Sequence, residues 1–183
     1  MNTYIAFLRG INVGAKQVKM DKLKQVFAKM DFENVKTLLA SGNVIFETKL
    51  TNLEQMRTKI ETTLEKEFGF TIYVILRKKE DIKKLITDNP FKHIVVTPET
   101  RFYVTFFSEK PQPKAIPYKS PEKDLKILRI SENEVCTFLT VSKNRGTTDM
   151  MEFLEKEFGS PPSEAGKKMT TRNWNTVKKI AAL

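Results

Sequence analysis

Cysteine and histidine are nearly missing from this chain: its 183 residues hold one of each, Cys136 and His93. A single cysteine excludes an internal disulfide framework and fits a reducing cytoplasm. One Cys and one His supply too few ligands for a zinc or iron–sulfur cage, so neither metal nor cofactor is expected. Long apolar runs are missing too. None approaches the roughly 20 residues that span a bilayer, so no membrane is expected. No secretory leader is expected: Asn2 and Thr3 stand where a basic region belongs, and Arg9 interrupts the apolar run. No Ser/Cys–His–acid set and no pair of carboxylates stands out, which leaves catalytic residues unassigned and enzymatic activity open.

Charge is what the chain has in excess. With 32 basic and 22 acidic residues the formal net charge is +10, a balance that raises nucleic acid as a partner. Only seven of the basic residues are arginine, and lysine alternates with glutamate, as in Glu65-Lys66-Glu67. That pattern fits a solvated lysine-rich surface better than a clustered phosphate-backbone footprint. Hydrophobic content of 40% and charged content of 30% belong to a globular chain able to bury a core.

Periodicity divides the chain in two. Alternating residues over 3–9 predict a strand apolar on both faces, with Tyr4, Ala6 and Leu8 opposing Ile5 and Phe7. A helical stripe follows over 20–30, then strands over 35–39 and 43–47 around the turn Ala40-Ser41-Gly42. Thr51-Asn52-Leu53-Glu54 fits a capping box that opens a helix, stopped at Gly69. A strand over 71–77 completes a β-α-β-β-α-β order, the ferredoxin-like unit. The pattern then restarts with a short helix over 80–88 and a strand over 101–107. Four prolines within 108–124 break the next crossover. Strands over 125–130 and 135–141 precede a helix over 148–158, capped by Thr148 or Asp149. A Pro/Ser/Gly-rich loop over 160–168 leads to a last helix beginning near Thr170 or Thr171. The run Leu-Glu-Lys-Glu-Phe-Gly ends at Gly69 and recurs ending at Gly159, which points to related halves. The expected fold is therefore α+β (an α/β-plait): two ferredoxin-like halves packed together, 1–78 and 79–183, the second imperfect and followed by a C-terminal helix.

In this topology the ends of the first two strands and the start of the third share one sheet edge. Arg9, Asn12, Lys16, Ser41 and Asn43 should gather there. Charged donors beside amides and a hydroxyl form a pocket for an anion or a polar small molecule. The plainer role is that Asn12 and Asn43 hold turns through side-chain to backbone bonds. At the start of the last helix, Arg172, Asn173 and Thr176 add polar groups where N–H groups attract anions, with Arg172 and Thr176 on one face. Trp174 is expected to anchor that helix rather than to stack a ligand. Cys136 is expected to pack as a small apolar residue. Ser41–Phe46 faintly matches an RNA-recognition strand, but only Phe46 is aromatic there.

Leu8-Arg9-Gly10-Ile11-Asn12-Val13-Gly14, Ser41-Gly42-Asn43-Val44-Ile45-Phe46 and Thr170-Thr171-Arg172-Asn173-Trp174-Asn175-Thr176-Val177 together resemble the bacterial Domain of Unknown Function 1697 family. The resemblance spans nearly the whole chain and implies two α/β-plait halves. It implies no activity, cofactor or catalytic residue. Ala15 departs from the family pattern, which has a second glycine there. The functional expectation is binding of an anionic or phosphate-bearing small ligand at the Arg9–Lys19 loop and the Ser41–Asn43 turn. Its alternatives are nucleic-acid binding through a diffuse lysine surface, or a structural and interaction role.

Overall fold

Alternation along a strand decides which side chains meet the helices, and it organises both sheets here. A computed structural model describes residues 1–112, 125–142, 146–158 and 169–183, without the side chains of 147–149. It divides into two compact units, Met1–Lys84 with Lys179–Leu183, and Leu85–Lys178. The elements of the first are β1 (Asn2–Arg9), α1 (Met20–Ala28), β2 (Glu33–Leu38), β3 (Asn43–Thr48), α2 (Leu53–Phe68) and β4 (Tyr73–Lys78). The helix α3 (Lys79–Asp88) comes next and contains the 84/85 division. Then follow β5 (Thr100–Phe107), β6 (Leu125–Ile130), β7 (Glu134–Thr140), α4 (Thr147–Phe158), β8 (Met169–Asn173) and α5 (Trp174–Ala182).

Both sheets are antiparallel and share one topology: β2-β3-β1-β4 in the first, β6-β7-β5-β8 in the second. In the first, Tyr4, Ala6, Leu8, Val44, Phe46, Val74 and Leu76 join α1 and α2 in one core with Leu23, Phe27, Met56, Ile60 and Leu64. Phe46 lies 4.4 Å from Phe32 and 5.5 Å from Phe27, ring centre to ring centre. The one aromatic of the RNA-recognition-like strand is thus fully buried and presents no stacking surface. Ile5, Phe7, Ile45 and Ile75, on the other face, are buried as well. In the second sheet Tyr103, Phe107, Val135 and Leu139 pack with Met150 and Leu154 of α4. Among the described residues, no helix is long and apolar enough to cross a membrane.

One sequence expectation is corrected at the C-terminus. Residues 169–173 form the strand β8, paired with β5, and the last helix starts only at Trp174. The threonines that look like helix caps are β-branched strand residues. Met169 belongs to the core beside α4, and Thr171 Oγ1 lies 2.8 Å from Thr105 Oγ1. The second half therefore has the fourth strand that its sequence pattern hid. Smaller corrections concern ends: α2 is capped by Asn52, whose Oδ1 accepts the N–H groups of Glu54 and Gln55, not by Thr51. The proline-broken crossover beyond residue 112, the caps Thr148 and Asp149, the Gly159 stop and the 160–168 loop lie outside the described residues and side chains.

The halves repeat more than their strand order. Leu64 and Leu154, both buried, hold equivalent places near the ends of α2 and α4. The fourth strand of each unit carries a buried arginine, Arg77 or Arg172. Each donates from Nη1 to the carbonyl of the preceding residue, Leu76 at 2.6 Å and Thr171 at 2.9 Å. Five and eight residues later come buried apolar residues of the following helix, Ile82 and Leu85 after the first, Val177 and Ile180 after the second.

Cys136 lies within β7 and is fully buried, and that burial pushes its thiol up to about 12, helped by the neighbouring Glu134 charge. Since the thiolate is the reactive form, iodoacetamide should leave the native protein unlabelled at mildly alkaline pH. Unfolding in denaturant should give complete labelling, read by mass spectrometry. Rapid native labelling would contradict this placement.

Candidate functional site

The loop after β1 turns on residues with positive φ: Gly10 at 82°, Asn12 at 53° and Gly14 at 59°. Asn12 tolerates this because its amide bonds the backbone locally. Its Oδ1 accepts the Val18 N–H at 2.8 Å, and its Nδ2 donates to Val18 O at 3.2 Å and Ala40 O at 2.7 Å. One side chain thereby ties the loop to the β2–β3 turn. Asn43, fully buried, donates from Nδ2 to Leu38 O at 2.8 Å and Ser41 Oγ at 3.0 Å. Gly42 accepts the Leu8 N–H through its carbonyl at 2.8 Å. The expected convergence of Asn12, Ser41 and Asn43 on one rim is present, and both amides are engaged in holding turns.

The other expected residues are placed as follows. Arg9 closes β1 opposite Tyr73 of β4 and is half-buried. Lys16 sits on the exposed part of the loop, its Nζ 5.6 Å from the centre of the Phe70 ring. Arg172 is buried in β8, where Nη1 donates to Thr170 Oγ1 at 2.8 Å as well as to Thr171 O. Arg172 and Thr176 therefore do not share a helical face; the strand-to-helix junction separates them. Asn173 Oδ1 accepts the Asn175 N–H at 2.9 Å and so caps α5. His93 is exposed. Among the described residues no group of three His, Cys, Asp or Glu could hold a metal ion.

A better-formed concavity lies within the Leu85–Lys178 unit. The helix α3 ends because Asn89 adopts φ 38° and Pro90 cannot continue it. The Asn89 N–H donates to Leu85 O, and its Oδ1 accepts the Phe91 N–H at 3.2 Å. This turn sets Phe91 against Phe102 at 4.6 Å between ring centres and edge-on to Trp174 at 5.0 Å. Phe102 belongs to the β5 face opposite α4, beside its cross-strand partner Phe138 at 6.1 Å. Each such aromatic pair contributes about 1 kcal/mol beyond the area it buries. Trp174 is buried by these contacts and anchors the start of α5.

Around these rings a cleft of 590 Å³ opens, lined also by Lys92, Arg101, Lys178, Asn173 and Asn175. Arg101 is held by two donations from Nη1, to Pro98 O at 2.6 Å and Thr100 O at 2.9 Å. Lys178 stands one turn after Trp174 on the same side of α5. Among the described residues, no carboxylate pairs with Lys92, Arg101 or Lys178. Val95 and Val96 are exposed beside it. Sequence reading missed this site because Phe91, Phe102 and Trp174 belong to a loop, a strand and a helix with no common spacing. The one available signal was Phe102 on the second face of a strand apolar on both sides.

Comparison with known proteins agrees with the fold. The family model described as "Protein of unknown function (DUF1697)" matches residues 1–135. Among solved structures the chain is similar to the conserved bacterial protein SP0830 from Streptococcus pneumoniae, with a TM-score of 0.68 and 20% identity over 100% of this chain and 97% of that one. At that identity the likeness speaks for the fold alone. No curated protein matches the sequence.

The rim geometry makes a sharp contrast between two glycines. A Cβ on Gly42, at φ 73°, would lie 2.5 Å from Ile11 Cδ1 and 2.9 Å from Leu8 Cβ, whereas one on Gly14 meets nothing within 4 Å. Gly42→Ala should cost about 2–4 kcal/mol through strain plus overpacking. Gly14→Ala should cost about 1 kcal/mol, from its positive φ alone. Urea unfolding of the two variants checks this, and equal losses would refute the tie between loop and turn.

Proposed function

The chain belongs to the DUF1697 family, whose function is unknown, and from its own geometry we propose that it binds an anionic small ligand in the cleft of the Leu85–Lys178 unit. One observation carries the reading. Three cationic residues, Lys92, Arg101 and Lys178, contribute to the lining of one concavity, and among the described residues none has a carboxylate partner. All three are exposed, and cations collected around one concavity raise the local positive potential, which favours an anionic ligand there. The cleft volume of 590 Å³ falls within the usual range for small-molecule sites, roughly 300–1,000 Å³.

The ligand class is that expected from the sequence; the location differs. At the β1 rim, Asn12 and Asn43 are engaged with backbone and hydroxyl groups, and Lys16 with the Phe70 ring. In the cleft, Arg101 is oriented by its two carbonyl acceptors and keeps further N–H donors for a bidentate contact. An Asn at the start of α5 and the N-terminal end of the helix dipole favour negative charge there as well.

Titration of pyrophosphate into the full-length protein, followed calorimetrically, tests the proposal. Each lost charge-assisted contact costs about 2 kcal/mol. Arg101→Ala combined with Lys178→Ala should therefore weaken binding at least roughly tenfold, whereas Lys16→Ala should leave it unchanged. Unchanged affinity in the double variant, or loss in Lys16→Ala, would overturn the location.

A further inference from the structure

Resting on the anion-binding reading above, we infer that the ligand of this cleft carries an aromatic ring joined to a phosphate, the chemistry of a mononucleotide. A bare anion has no use for the apolar lining: Phe91, Phe102 and Trp174 line the cleft, and while Phe91 and Trp174 are buried, Phe102 is only half-buried and is the ring with surface left for a ligand. An inorganic anion would leave that apolar area wet, whereas a planar ring stacked on it removes the area from water. Aromatic stacking accepts any flat heterocycle, because every base has a π-face.

The amides argue for a heterocycle rather than a hydrocarbon ring. Asn89 Oδ1 accepts the Phe91 N–H and Asn173 Oδ1 accepts the Asn175 N–H. In both amides Nδ2 is then the donor that remains for a ring nitrogen or an exocyclic carbonyl. A saturated acyl chain would leave those donors without acceptors, at a cost in desolvation. The phosphate, with close to two negative charges at neutral pH, matches the three cations, and Arg101 offers the planar fork that a phosphate takes in bidentate fashion. Ring and phosphate in one molecule use the aromatic and the cationic lining of the cleft together.

The experiment is calorimetric titration of the full-length protein with the four ribonucleoside monophosphates, ribose 5-phosphate, inorganic phosphate and a single-stranded oligo-dT. At least one monophosphate should bind about tenfold tighter than ribose 5-phosphate, the increment expected of one stacked base. Phe102→Leu should abolish that increment and leave ribose 5-phosphate binding as it was. Arg101→Ala should weaken both ligands by the same factor. Equal affinity for ribose 5-phosphate and every monophosphate would overturn the ring inference and leave the anion reading standing. No binding of any phosphate would sink both. Tighter binding of the oligo-dT than of every monophosphate would make the cleft a strand-binding groove and overturn the small-ligand assignment. The ligand series on the unmodified protein decides the matter whether or not Phe102→Leu folds.

Discussion

A β-strand with apolar side chains on both faces has to be covered twice, because either face left wet forfeits its share of the stabilisation. β1 and β5 hold this position in the two sheets, each flanked by antiparallel partners. For β5 the first cover is α4, which packs on Tyr103 and Phe107. The second face carries Phe102, Val104 and Phe106, of which Val104 and Phe106 are fully buried. Phe102 is covered from outside the sheet by Phe91 from a loop, and Phe91 in turn is backed by Trp174 from α5. A loop and a helix start cannot tile a pleated surface without a gap, and the cleft is that gap. The site thus follows from how a sheet face is roofed.

The rim of the first sheet shows how the same residue types serve another end. Amides, a hydroxyl and glycines stand close together, as they do in many anion sites. Their hydrogen bonds nevertheless run inward. Asn12 joins the loop to Ala40 and Val18, and Asn43 closes the turn on Leu38 and Ser41. The close approach of Gly42 to Ile11 and Leu8 requires such ties. A buried amide left without partners would be costly, so these side chains are best regarded as part of the backbone scaffold.

Much of the fold could be read from residue patterns, and the failures have physical causes. Strong alternation located β1, β3, β4 and β5, and helical stripes located α1 and α2 to within a few residues. The β8 strand was missed because Thr-Thr-Arg-Asn carries no apolar alternation; Thr171 meets Thr105, and Thr170, on the other face, accepts from Arg172. Serine- and threonine-like caps and short polar strands look alike until a pairing partner is known. The cleft was illegible for a similar reason. Its rings come from three elements, and only strand pairing together with the Asn89 turn brings them together. Proximity of Asn12 to the β2–β3 turn was legible, since topology alone dictates it; what the amides do there was not.

Trp174 is the single tryptophan of the chain, and it lines the cleft edge-on to Phe91. Indole emission depends on the polarity and the charges in its immediate surroundings, so the tryptophan emission of this protein comes from one known place. Tyrosines aside, no second fluorophore dilutes the signal. The molecule thus carries a native optical probe at the cleft, without dye or label. Changes in emission colour or intensity can be assigned to this corner of the β5 sheet instead of being averaged over the chain.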